Sequence, residues 1–174
     1  MDDKSHDSGS PEELVPREPS VEDVVQLCRE LNARGARYVV VGGFAIKHAG
    51  YARTTMDIDI LIDPARDNEA IVFEALATLP DGCVRELDAG DVEKFTVVRV
   101  ADEVLVDLMA KASGISYEEA KVHIHVRELD GVKIPFANPD LLWRMKSRSY
   151  RPKDQADLAF LRELFAAEGR QPPE

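Results

Sequence analysis

Three aspartates stand in runs that are otherwise apolar. Asp57 and Asp59 fall two apart in DIDILID (57–63), and Asp107 interrupts VLVDLM (104–109). Carboxylates disfavour strands and are costly to bury. Strand residues two apart share a face, so Asp57 and Asp59 project together, about 7 Å between Cα atoms, while Ile58, Ile60 and Ile62 turn into a core. Two ionised carboxylates side by side repel. A hard divalent cation, Mg2+ (or Mn2+), relieves that repulsion, and Asp107 from a neighbouring strand could complete the ligand set. With phosphates bound, such a centre suits phosphoryl or nucleotidyl transfer. The competing reading is a solvated strand face, or an ion pair with Arg53.

The glycine pair Gly42-Gly43 follows the β-branched run RYVVV (37–41) and precedes Phe44, Ala45, Ile46 and His48, which suggest a short helix. Glycines at a strand-to-helix turn let a backbone approach a ligand closely. The helix start offers unpaired N–H groups to phosphate. A plain tight turn is the alternative. Arg53, Thr54 and Thr55 lie on the loop leading into Asp57, and Thr55 is a candidate phosphate contact. Two readings are open for Arg53: a phosphate contact, or an ion pair with the acids.

The elements that must position these residues follow from periodicity and punctuation. Ser20 with Asp23 starts a helix over 21–34, ended at Gly35. The run 37–41 reads as a strand buried on both faces. Strand 57–63 stops at Pro64, and a helix covers 67–78. Residues 83–87, 93–100 and 103–109 read as strands, with Ala101-Asp102 as a hairpin turn between the last two. A helical turn covers 116–121. Residues 122–128 and 132–136 flank the hairpin signal Asp130-Gly131. Helices follow over 139–148, with Pro139 at the first position, and over 152–167. This order predicts an α+β (α/β) fold: a mixed central sheet with helices packed against it and a C-terminal helical pair. The expected division is a disordered acidic tail over 1–19, a core over 20–137, and a helical segment over 138–168 packed on that core.

The stretch RMKSRSYRPK (144–153) holds five bases. Lys146 is the best candidate there for a triphosphate contact, since Lys and Arg fix anionic oxygens. A solvated helix face, with Asp154 capping a helix, is the alternative. His48 reads as a packed or capping histidine more readily than a nucleotide contact. His123 and His125 share a strand face but lack an evident third ligand. Trp143 is expected between helices, and Cys28 in the core.

Together Gly42, Gly43, Asp57, Asp59 and Asp107 resemble the DNA polymerase β-like nucleotidyltransferase superfamily. Its pattern is a strand ending in Gly-Gly or Gly-Ser, a short helix, an acid-x-acid strand and a third strand acid. HAGYARTTMDIDILID (48–63) and LLWRMKSRSYRPKDQADLAFL (141–161) are similar to small bacterial members related to the toxins of abortive-infection toxin–antitoxin systems. The resemblance spans about residues 21–165. It implies that Gly42 and Gly43 cradle the phosphates of a nucleoside triphosphate (NTP), and that Asp57 and Asp59 hold magnesium. Asp107 would hold a second metal and help deprotonate the acceptor hydroxyl. Lys153 and Asp154 match the related toxins' terminal Lys-Asp element. The implied acceptor is RNA, a protein or a small molecule, and an antitoxin partner is implied with it. The alternative is a catalytically inactive nucleotide-binding or protein-interaction module on the same scaffold.

At 174 residues the chain suits one domain, and its 44% hydrophobic and 32% charged residues are those of a globular protein. The net charge is −11, of which residues 1–20 carry −4. An acidic body argues against broad duplex binding, leaving a local basic patch or a metal-bridged anionic substrate. No apolar run reaches the ~18 residues of a membrane span. The N-terminus lacks the pattern of a signal peptide, so a cytoplasmic protein is expected. The two cysteines form neither metal spacing nor a disulfide framework.

Overall fold

The computed structural model describes residues 15–174. The helices are α1 (Val21–Ala33), α2 (Gly42–Ala49), α3 (Arg66–Leu76), α4 (Asp91–Lys94), α5 (Tyr117–Ala120), α6 (Pro139–Lys146) and α7 (Pro152–Ala167). The strands are β1 (Tyr38–Val41), β2 (Asp57–Ile62), β3 (Val98–Ala101), β4 (Leu105–Met109), β5 (Lys111–Ala112), β6 (Ile115–Ser116), β7 (Ile124–Leu129) and β8 (Val132–Ala137). Six strands form one mixed sheet in the order β3-β4-β2-β1-β8-β7. The expected α+β class is what the chain adopts.

The capping box expected at Ser20 is present: its side chain accepts from the Asp23 N–H, and Asp23 reaches back. The apolar face of α1 packs on β8 and α3. All four residues of β1 are buried, as a central strand requires. Helix α2 packs on β1 and β2 and against α6, which in turn packs on α7. Cys28 is fully buried, and Trp143 meets Phe165 edge-on at 6.0 Å, both as expected.

Two strand expectations are corrected. Residues 83–87 are not a strand: Cys83–Glu86 is a 3-10 turn entered from Gly82 at φ +62°. Residues 93–100 begin in helix α4, and only Val98 onward is a strand. One buried carboxylate explains the first difference. Asp102, expected in a hairpin turn, is fully buried. It accepts backbone N–H bonds from Asp81 at 2.9 Å, Cys83 at 3.0 Å and Glu103 at 2.8 Å. The short alternating pattern of 83–87 therefore loses to a turn held by a distant acid. Burial alone would raise the Asp102 pKa, but the three donors outweigh it and hold the group below the usual carboxylate range.

Asp102→Ala is expected to cost about 3 kcal/mol, since it orphans three donors. The sign with pH follows: a lowered carboxyl pKa contributes stability above the unfolded pKa that is lost as pH falls through the folded value. Thermal melts from pH 7 down to pH 3 are expected to show the gap between wild type and variant narrowing.

Most of the expected tail lies outside the described residues. At its end, Arg17 forks onto Asp23 at 2.7 Å and donates to Glu103 at 2.9 Å. Among the described residues no helix is long and apolar enough to cross a membrane.

Candidate active site

Sheet register brings the acids together. In the antiparallel β1–β2 pair Val41 lies opposite Asp59, and in the parallel β2–β4 pair Asp59 lies opposite Asp107. In the antiparallel β3–β4 pair, Asp107 lies opposite Arg99. Val41, Asp59, Asp107 and Arg99 thus form one row across four strands, with Asp57 one pleat away on β2. One carboxylate oxygen from each of Asp57, Asp59 and Asp107 lies within 4.8 Å of the others. Ile58 and Ile60 are fully buried on the other side of β2, as alternation demands.

The row opens into a cleft of about 600 Å3 that contains all three acids, Gly42 and Gly43. Both glycines have a local reason to be there. Gly42 sits at φ +63°, and a Cβ on it would land on the Asp59 carboxylate. A Cβ on Gly43 would come within 2.6 Å of the Thr55 Cβ. The pair therefore lets the first turn of α2 close onto the acid strand. Thr55 is buried, and its hydroxyl donates to the Asp57 carbonyl at 3.1 Å, fixing the entry to β2. Gly42→Ala is expected to cost about 2–4 kcal/mol, from positive φ and a displaced Asp59. Melting temperature and Mn2+ affinity should fall together.

Burial first, then repulsion from Asp57 and Asp107, pushes the Asp59 carboxyl up to about 7. The donor set fits a hard divalent cation: three oxygen ligands, converged and destabilised when all are charged.

The expected basic residues divide. Lys153 is exposed on the cleft, with no salt-bridge partner among the described residues. Lys146 lines the cleft but is committed: its Nζ lies 2.9 Å from both Asp154 and Asp157. Arg53 pairs with neither Asp57 nor Asp59. It forks onto Asp157 at 2.8 and 2.9 Å and donates to the Thr54 carbonyl at 2.9 Å. Asp154 is fully buried and accepts from Lys146, from the Ser149 hydroxyl at 2.5 Å and from Arg151 at 2.6 Å. Burial opposes its ionisation, but these donors hold the Asp154 carboxyl down at about 2. This network joins the loop before β2 to α6 and α7.

His48 lies away from the cleft, stacked on Phe136 at 4.2 Å and accepting from Arg127 at 2.9 Å. Burial lowers its pKa, with Arg127 and His125 adding to the effect. His123 and His125 do not share a strand: His123 ends a 3-10 turn beside Arg144, and His125 is on β7.

Arg99 and Asp157 were not singled out from the sequence. A two-residue turn at Ala101-Asp102 would put Thr96 opposite Asp107; the observed turn is one residue longer and shifts Arg99 into that place. Asp157 carried a signal only in hindsight, as a second acid three residues after Asp154 on a helix whose buried face holds both.

A family model described as "Nucleotidyl transferase of unknown function (DUF2204)" matches residues 20–170. The chain belongs to this family. As a nucleotidyl transferase family member, it also shares its fold with a solved structure, an antigenic nucleotidyltransferase-like protein from Paracoccidioides brasiliensis. The likeness has a TM-score of 0.53 at 17% identity and covers 85% of this chain and 79% of that one. No curated protein matches. The family supports nucleotidyl transfer as the general chemistry of the chain.

Proposed function

We propose that the chain transfers a nucleoside monophosphate from an NTP to a hydroxyl acceptor in a reaction that needs Mg2+ or Mn2+. The observation that carries this reading is the convergence of Asp57, Asp59 and Asp107 beside the Gly42-Gly43 turn in one cleft. Asp57, Asp59 and Asp107 would hold the cation, which when bound stabilises charge on the attacking and leaving oxygens. The N–H groups at the start of α2 and the Lys153 ammonium receive the phosphates. The acceptor oxygen bonds to the α-phosphorus, the bond to the bridging oxygen breaks, and pyrophosphate leaves. Asp107, edging the cluster, receives the acceptor proton. Lys146, Asp154, Arg53 and Thr55 act by holding the loop and helices around the cleft.

The acceptor is RNA, a protein or a small molecule, and the NTP pool for such chemistry is cytoplasmic. A toxin-like role with an antitoxin partner follows from the resemblance and would show as growth arrest on expression alone. The second reading, an inactive binding module, is favoured by one observation: Arg99 already neutralises two of the acids. Incubation with each of the four α-32P NTPs, Mg2+ and total RNA or lysate separates them. The expected result is a labelled acceptor, with no label from γ-32P NTP. No label from any α-32P NTP favours the binding module.

A further inference from the structure

Arg99 stands on β3, an edge strand of the sheet. Its Nε donates to Asp107 Oδ1 at 2.8 Å, and one terminal nitrogen donates to Asp107 Oδ2 at 2.7 Å. That same nitrogen also donates to Asp57 Oδ2 at 3.1 Å. One guanidinium therefore bridges two of the three acids, engaging both oxygens of Asp107 and one of Asp57. It cannot yield by losing its proton, because arginine stays charged in proteins. Hydrogen bonding to Asp107 raises its pKa further.

Two cations competing for the same oxygens in a partly desolvated cleft repel strongly. Entry of a divalent ion requires Arg99 to leave. Its side chain is 52% exposed, so no core packing opposes a swing. The space it swings into is the cleft that it already lines. An NTP there would bring three phosphates, groups to which a planar guanidinium fork is well matched.

We infer that Arg99 is an exchangeable counter-cation: it holds the acids without metal and transfers to the phosphates when metal enters. Metal and NTP then bind cooperatively, since metal frees Arg99 for the phosphates and the phosphates hold Arg99 off the acids. Arg99 thus becomes a phosphate-binding residue once metal is present, and the inference rests on the nucleotidyl-transfer reading of the same cleft.

The test is a Mn2+ titration followed by electron paramagnetic resonance on the full chain. Wild type, Arg99→Met and Arg99→Lys are compared, with and without α,β-methylene analogues of the four NTPs. Without nucleotide, Arg99→Met is expected to bind Mn2+ about ten-fold more tightly than wild type, a typical size for coupling between sites. An analogue should tighten Mn2+ binding in wild type and do so much less in Arg99→Met. Arg99→Lys keeps the charge but not the fork, and is expected to fall between. Circular dichroism establishes that each variant is folded. Equal or weaker Mn2+ binding by both variants overturns the inference and leaves the metal centre standing. No Mn2+ binding by any of the three folded proteins overturns both.

Discussion

Asp59→Asn is expected to raise the melting temperature of the metal-free protein at pH 8 while abolishing nucleotidyl transfer. The two effects have one origin. Three carboxylates with oxygens within 4.8 Å of each other are destabilising when all are charged, and Asp59 suffers most because burial and both neighbouring acids act on it while Arg99 pairs only with Asp57 and Asp107. Its folded pKa of about 7 lies above the ordinary 3.8. The folded protein thus holds a proton that the unfolded chain has already released. Stability falls as pH rises from the unfolded value through 7, and the full penalty is present at pH 8. The penalty is at most about 4 kcal/mol, and Asn removes it. For a domain of this size that is several degrees in melting temperature. At pH 4 the advantage should vanish. Added Mn2+ should stabilise wild type at pH 8 and leave Asp59→Asn nearly unmoved, because a ligand stabilises only the state that binds it. Melts of both proteins at the two pH values, with and without Mn2+, check each step. The penalty is what a site kept for binding looks like when its ligand is away.

The opposite outcome is expected at Asp157. It is fully buried and receives three charge-assisted bonds, two from Arg53 and one from Lys146. Asp157→Ala leaves Lys146 on Asp154 alone and releases Arg53 from the loop that enters β2. Breaking a buried ion network from one side costs about 3–5 kcal/mol. The melting temperature should fall by about 6–20 °C at the 2–4 °C per kcal/mol of such a domain. Asp157→Asn keeps the shape and part of the bonding, and is expected to lose less. Transfer should drop in both, with affinity for the nucleotide affected more than the reaction of bound nucleotide. Asp157 touches the loop, not the reacting atoms.

Local signals made much of this site legible. A β-branched run fixed β1, and alternation put Asp57 and Asp59 on one face. An apolar frame around Asp107 marked it as a costly acid. The proline and asparagine punctuation at 138–139 marked the start of α6. Partners set by distant chain were not legible. Arg99 depends on hairpin register, and a turn one residue longer than expected moves it three places along β4's partner strand. The 3-10 turn at Cys83–Glu86 depends on Asp102, nineteen residues from its Cys83 partner. Lys146 reads as a phosphate contact, and Arg53 as that or a partner of the site acids, because charge near a site suggests a substrate or a near neighbour. Their buried counterions sit on α7; Lys146 finds Asp154 only 8 residues on, but no local pattern announces the pairing of Arg53 across 104 residues. The glycines were legible as a turn, but the approach they permit is to Asp59 and Thr55 as much as to a ligand.

The most direct measurement is anomalous diffraction from crystals grown with Mn2+ and an α,β-methylene NTP analogue. The expected result is a manganese peak bonded to oxygens of Asp57, Asp59 and Asp107, with the phosphates over the start of α2. Ordered nucleotide with manganese elsewhere, or the three carboxylates still closed around Arg99 at saturating Mn2+, would contradict the account.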